Sequence, residues 1–111
     1  LYSMKTIIAL GSNYNQEENI SKAQTLLKQR FKNVKFSDKQ WTEPIGITSD
    51  KFLNCIVTLE TELSLTQVVQ CLKEIEQTMG DSHENHQKGK VLIDIDLAQY
   101  GEKIVKEIIW L

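Results

Sequence analysis

Phe52-Leu53-Asn54-Cys55-Ile56-Val57-Thr58-Leu59-Glu60-Thr61 and, two residues later, Ser64-Leu65-Thr66-Gln67-Val68-Val69-Gln70-Cys71-Leu72-Lys73-Glu74-Ile75-Glu76-Gln77-Thr78-Met79-Gly80 form the stretch that decides the fold. The first half alternates. Leu53, Cys55, Val57 and Leu59 share one face, and Phe52, Asn54, Ile56, Thr58 and Glu60 share the other, as in a strand with one buried side. The second half changes period. Val68, Val69, Leu72, Ile75 and Met79 make a helical stripe, Ser64 and Gln67 are spaced as a capping box, and Gly80 stands where a helix stops.

The same logic extends in both directions. Residues 5–10 are short, apolar and β-branched, and Gly11-Ser12-Asn13 ends them as a loop. Ile20, Ala23, Leu26 and Leu27 predict a helix over 16–30, with Glu17 and Glu18 at its positive end and Lys28 and Arg30 at its negative end. After a turn at Asn33, alternation predicts a strand over 34–41. Thr42-Glu43-Pro44-Ile45-Gly46 opens a loop that runs to about Lys51. Downstream of Gly80, residues 81–89 read as a polar loop. A strand is expected over 91–98, a turn at Tyr100-Gly101-Glu102, and a fifth strand over 104–111. The order β-α-β-β-α-β predicts an α+β, ferredoxin-like domain: an antiparallel sheet with two helices on one face. Its other face is left for something else.

Composition limits the function classes. The chain has 111 residues, 41% apolar and 25% charged, an ordinary globular balance that argues against disorder. One domain over residues 1–111 is expected. A net charge of −2 with no basic block gives no footprint for nucleic acid. No apolar run reaches the ~18 residues of a membrane span. Cys55 and Cys71 fall in apolar-periodic segments without a CxxC spacing, so both are expected as buried free thiols. Met4 reads as the native start, with Leu1-Tyr2-Ser3 as an expression remnant and no secretory signal. The expectation is a cytoplasmic protein, in which the sequon Asn19-Ile20-Ser21 carries no sugar.

Four groups can carry chemistry. Asp94-Ile95-Asp96 lies in a strand whose Val91, Ile93, Ile95 and Leu97 face the core, so both carboxylates point to the opposite face, about 7 Å apart. They are either two solvated acids or a site for divalent cations such as Mg²⁺, which would clamp phosphates. Phe52 and Asn54 either pack, or hold a flat heterocycle by stacking and by an amide donor and acceptor. Two strand spacings, about 9.6 Å, would separate them from the acidic pair. Gly11-Ser12-Asn13 is a strand-to-helix loop that can present N–H groups to an anion. His83 and His86 have an H-x-x-H spacing but lack partners for zinc, and read as exposed loop histidines.

In order and spacing these segments resemble one known family. Ala9-Leu10-Gly11-Ser12-Asn13, Thr42-Glu43-Pro44-Ile45-Gly46, Phe52-Leu53-Asn54, Leu59-Glu60-Thr61, Ile75-Glu76 and Asp94-Ile95-Asp96-Leu97 before Tyr100-Gly101 look like the 6-hydroxymethyl-7,8-dihydropterin pyrophosphokinases of folate biosynthesis. The resemblance implies transfer of pyrophosphate from ATP to a reduced pterin with two Mg²⁺ ions. It implies Asp94 and Asp96 as magnesium ligands, and Thr42, Ile45, Phe52 and Asn54 as the pterin pocket. Gly11, Ser12 and Asn13 would lead into a closing loop, and Glu76 matches an acid near the site. The chain departs from the family pattern where arginines are expected. Asp81 follows the glycine ending the second helix, and Gly89-Lys90-Val91 replaces a Gly-Pro-Arg run, leaving Lys90 as the adjacent cation with a catalytic role. Because such cations neutralise transferring phosphates, impaired turnover is expected. Two alternatives stand beside the enzyme: a non-catalytic module for a pterin-like ligand, and a subunit that self-associates through the apolar residues of 104–111.

Overall fold

The computed structural model describes residues 2–46 and 49–110. Its elements, in chain order, are β1 (Met4–Ser12), α1 (Gln16–Arg30), β2 (Lys32–Phe36), β3 (Gln40–Thr42), β4 (Phe52–Thr61), α2 (Leu65–Thr78), α3 (His83–Gln87), β5 (Asp94–Tyr100) and β6 (Lys103–Ile104). The strands form one sheet in the order β2-β4-β1-β5-β6, with β3 also paired to β4. Each pairing is antiparallel. This is the α+β arrangement expected from the sequence, with β1 at the centre.

Even-numbered residues of β1 face the helices. Ile8 and Leu10 pack with Cys55 and Val57 of β4 and with Ile95 and Leu97 of β5. Ile20, Ala23 and Leu27 of α1 and Val68, Leu72 and Ile75 of α2 close over them. Burying each large aliphatic side chain is worth about 1.5–3 kcal/mol, so this layer holds the helices to one face. Ser64 and Gln67 form the reciprocal capping box that their spacing predicts, and Gly80 follows α2 at φ +83°. Both cysteines are buried free thiols. Among the described residues no helix is long and apolar enough to cross a membrane.

Five expectations need correction. The loop expected at Gly11-Ser12-Asn13 begins only at Asn13, because Gly11 and Ser12 continue β1 opposite Asn54 and Leu53. The strand expected over 34–41 is two strands. Phe36 pairs with Val57 but Gln40 pairs with Asn54, so one extra residue is accommodated between them. Ser37 holds that bulge: its Oγ accepts from the Ile56 N–H at 2.8 Å, and its own N–H donates to the Ile56 carbonyl at 2.9 Å. The polar loop over 81–89 contains a helix, α3, capped by the Ser82 hydroxyl, which accepts from the Asn85 N–H. The strand expected over 91–98 begins at Asp94 and runs to Tyr100. Ahead of it, Asn13 substitutes for a strand partner: its Oδ1 accepts from the Val91 N–H at 2.6 Å, its Nδ2 donates to the Gly89 carbonyl at 2.8 Å, and its N–H donates to the Val91 carbonyl at 3.0 Å. The fifth strand is only Lys103–Ile104, after which residues 105–110 turn onto the open sheet face. Ile47 and Thr48 of the 42–51 loop, and Leu111 of the expected last strand, lie outside the described residues.

Candidate active site

The open face is organised by one row of the sheet. Gln40, Asn54, Gly11 and Asp94 sit opposite one another on β3, β4, β1 and β5. Asn54 and Asp94 are therefore two strand spacings apart, about 9.6 Å, with a glycine between them. A Cβ at Gly11 would come within 3.2 Å of Asn54 Oδ1 and 3.6 Å of the Phe52 ring. The glycine keeps the floor clear.

Asn54 is buried, and its orientation is set by chemistry. Its Nδ2 donates to Thr42 Oγ1 at 2.7 Å and to the Gln40 carbonyl at 3.2 Å. A carbonyl only accepts, so the nitrogen must face Gln40 and Oδ1 must face Gly11. With both amide protons engaged, Asn54 offers a ligand chiefly an acceptor. That narrows the expected donor-and-acceptor role.

A cavity of about 210 Å³ lies over this floor. It brings together Gly11, Thr42, Ile45, Phe52, Asn54, Asp94 and Asp96. Four other sequence candidates lie away from its lining. The Ser12 hydroxyl is on the core face and donates to the Tyr14 carbonyl. Asn13 is spent on the clasp before β5. The Lys90 ammonium lies 3.9 Å from the centre of the Tyr14 ring, a cation–π contact. Glu76 approaches from α2, where its carboxylate accepts from the Ile95 N–H at 2.8 Å on the free edge of β5.

The charges around β5 are densely coupled. Burial and the Asp96 charge push the Asp94 carboxyl up to about 6. Burial, with the fields of Asp94, Asp81 and Asp96, pushes Glu76 up to about 7, although its bond from Ile95 works the other way. His86 is not the exposed loop histidine expected from the sequence. Its Nε2 lies 2.9 and 2.8 Å from the two oxygens of Asp81 and 3.9 Å from Asp94 Oδ1. Burial opposes its charge, but the bond and field of Asp81 outweigh that and raise its pKa. Asp81 is therefore paired within the molecule. His83 lies 3.2 Å from the Gln87 amide and is exposed. The H-x-x-H pair does not converge.

Asp94 and Asp96 fit a divalent cation. Both are half-exposed carboxylates on the cavity face, hard oxygen donors for Mg²⁺, and their mutual repulsion is the kind of cost that a cation removes.

The sequence reading missed one wall. Lys106, Ile108 and Trp110 line the cavity. Ala98 is an extra residue in β5 opposite β1, and its carbonyl accepts from both the Val105 and Lys106 N–H groups, at 2.9 and 3.1 Å. This pair of hydrogen bonds to one carbonyl ends the β6 pairing and turns the chain over the cavity. Lys106 Nζ then meets Asp96 Oδ2 at 2.9 Å. The bond to Asp96 raises the Lys106 pKa against the opposing effect of burial. The available signal was an apolar and aromatic run, Ile108-Ile109-Trp110, just beyond Lys106-Glu107 in a segment with no alternation.

The model of the 7,8-dihydro-6-hydroxymethylpterin-pyrophosphokinase (HPPK) family matches residues 7–110. The chain belongs to the HPPK family. It is also 33% identical over 107 residues to a folate synthesis bifunctional protein of Arabidopsis thaliana, a match covering 93% of this chain and 22% of that relative. The chain thus spans about a fifth of the length of that curated relative. Membership sharpens the meaning of the departures. At the two positions where an HPPK arginine was expected, Asp81 is paired with His86 and Val91 is held in the Asn13 clasp.

Proposed function

We propose that this chain is a pyrophosphokinase that transfers the pyrophosphoryl group of ATP to the hydroxymethyl arm of 6-hydroxymethyl-7,8-dihydropterin, in the cytoplasm and with two Mg²⁺ ions. The observation that carries this reading is the row Asn54-Gly11-Asp94. It sets an aromatic and amide end against a dicarboxylate end at a spacing that a small heterocycle with a reactive arm can bridge. Phe52 stacks on the pterin, Asn54 Oδ1 accepts from its ring N–H groups, and Thr42 and Ile45 border it. Trp110 adds a second aromatic surface. Asp94 and Asp96 would hold the divalent ions, which when bound would neutralise the polyphosphate. The arm's hydroxyl oxygen gives up its proton to solvent and bonds to the β-phosphorus of ATP, the bond from that phosphorus to the α,β-bridging oxygen breaks, and AMP leaves with that oxygen. The cavity serves small molecules, with no role for nucleic acid or membrane. Self-association through residues 104–110 has less support, because Ile108 and Trp110 turn toward the chain's own cavity.

Without the expected arginines, turnover is slow; each ~1.4 kcal/mol of lost transition-state stabilisation is tenfold in rate. The test is AMP release with ATP, Mg²⁺ and hydroxymethyl-dihydropterin. Pterin-dependent AMP formation that is lost in Asp94→Asn is the expected result. Pterin binding without AMP release at any enzyme concentration would instead favour a non-catalytic pterin-binding module.

A further inference from the structure

Among the described residues the cavity lining contains one lysine and no arginine: Lys106. The other nearby cations are engaged elsewhere, Lys90 on the Tyr14 ring and His86 on Asp81. Lys106 combines a fixed root with an exposed tip. Its backbone is pinned by the Ala98 carbonyl, while its side chain is 64% exposed and reaches Asp96 at 2.9 Å. A lysine ammonium is a compact charge on a rotatable stem, suited to exchanging one anionic partner for another.

We propose that Lys106 is a transferable counter-ion: it pairs with Asp96 as long as no divalent cation is bound there, and passes to the polyphosphate of the co-substrate when a divalent cation takes the Asp96 carboxylate. The proposal rests on the reading of Asp94 and Asp96 as ion ligands. Its physical basis is exclusion. A divalent cation and an ammonium repel each other at one carboxylate oxygen, so ion binding releases Lys106. The released charge remains at the cavity wall, where a nucleotide brings several negative oxygens. Lys106 then supplies part of the phosphate neutralisation that the positions of Asp81 and Val91 do not.

This predicts opposite effects from one substitution. Lys106→Met keeps the length of the stem and removes the charge. Calorimetric titration with Mn²⁺ alone should show binding about threefold tighter than wild type, since a competing exposed pair is gone. Binding of a non-hydrolysable ATP analogue in saturating Mg²⁺ should weaken about tenfold, the loss of a charge-assisted contact. Lys106→Arg should restore the nucleotide affinity, and Lys103→Met, on the same segment, should leave both affinities at wild-type values. Unchanged Mn²⁺ affinity or unchanged nucleotide affinity in Lys106→Met overturns the proposal. The enzymatic reading fails separately: absence of pterin-dependent AMP release sinks it, whereas the exchange of Lys106 between Asp96 and phosphate is read by binding alone.

Discussion

A single methyl group tests the floor of the cavity. At Gly11 a Cβ would lie 3.2 Å from Asn54 Oδ1, so Gly11→Ala must push the amide away from the orientation that Thr42 and Gln40 impose. Pterin affinity should fall about tenfold, comparable to one misplaced hydrogen bond, while thermal stability changes little. Unaltered affinity, measured by calorimetry, would show that Oδ1 does not meet the ligand. Asn54→Leu goes further: it removes the acceptor and should cost pterin binding about 1–3 kcal/mol, with ATP binding unchanged. Equal weak binding of pterin to both proteins would leave Asn54 only a packing role. The faces of Phe52, Asn54, Asp94 and Asp96 were legible because strand alternation assigns them from the core residues beside them. Asn13 was legible as a loop residue, whereas Ser12 was read as loop and is strand; the side-chain partners of Asn13 lie far along the chain, at Gly89 and Val91. No local pattern encodes such partners. His86 is similar: its position beside Asp94 depends on the short helix α3, which apolar periodicity cannot reveal because none of its residues is buried.

Elements were read correctly where an apolar stripe and a cap agree, as in α2, and were misjudged where one hydrogen-bonding residue overrides the pattern. The alternation over 34–41 continues through Ser37, yet Ser37 inserts a bulge and splits the strand. Val91-Leu92-Ile93 has a strand's composition, yet the Asn13 clasp holds Val91 in place of a β1 strand partner. The clasp is therefore a testable element of the fold. Asn13→Ala leaves the Val91 N–H and the Gly89 carbonyl without their side-chain partners and should lower unfolding stability by about 1–3 kcal/mol. Asn13→Asp keeps an acceptor for Val91 but loses the donor to Gly89, and should fall between wild type and Asn13→Ala. Urea unfolding measures both. A stability of Asn13→Ala equal to wild type would mean that the β1 to β5 ladder alone sets where β5 begins. The last segment, 105–110, was taken for a strand on composition. Its real course follows from the bulge at Ala98, a feature set by pairing with β1 and invisible in local sequence.

At the scale of the whole molecule, the acids around β5 make stability depend on pH in an unusual direction. Glu76 sits at about 7 and Asp94 at about 6 in the folded chain, both raised first by burial. The unfolded chain would release those protons near 4–4.5. Between these limits the folded state binds more protons than the unfolded state, so stability falls as pH rises. His86, raised by Asp81 despite its burial, acts in the same sense: its stabilising charge is present below about 6.5 and is lost as pH rises through its folded pKa. The metal-free protein should therefore be more stable near pH 5 than near pH 8. Glu76 should contribute about 1–2 kcal/mol to the difference once solvent screening of a half-buried group is allowed for. Glu76→Gln should remove that share and flatten the profile. Mg²⁺ should restore stability near pH 8, where the Asp94 carboxyl has lost its proton beside Asp96, and do little near pH 5, where a proton competes for the Asp94 oxygens. Thermal unfolding from about pH 5 to 8, with and without Mg²⁺, decides it. Stability of the metal-free protein that rises steadily toward pH 8 would show that the carboxylates around β5 are already relieved by their protein partners, and that Lys106 is a sufficient counter-ion without a divalent cation.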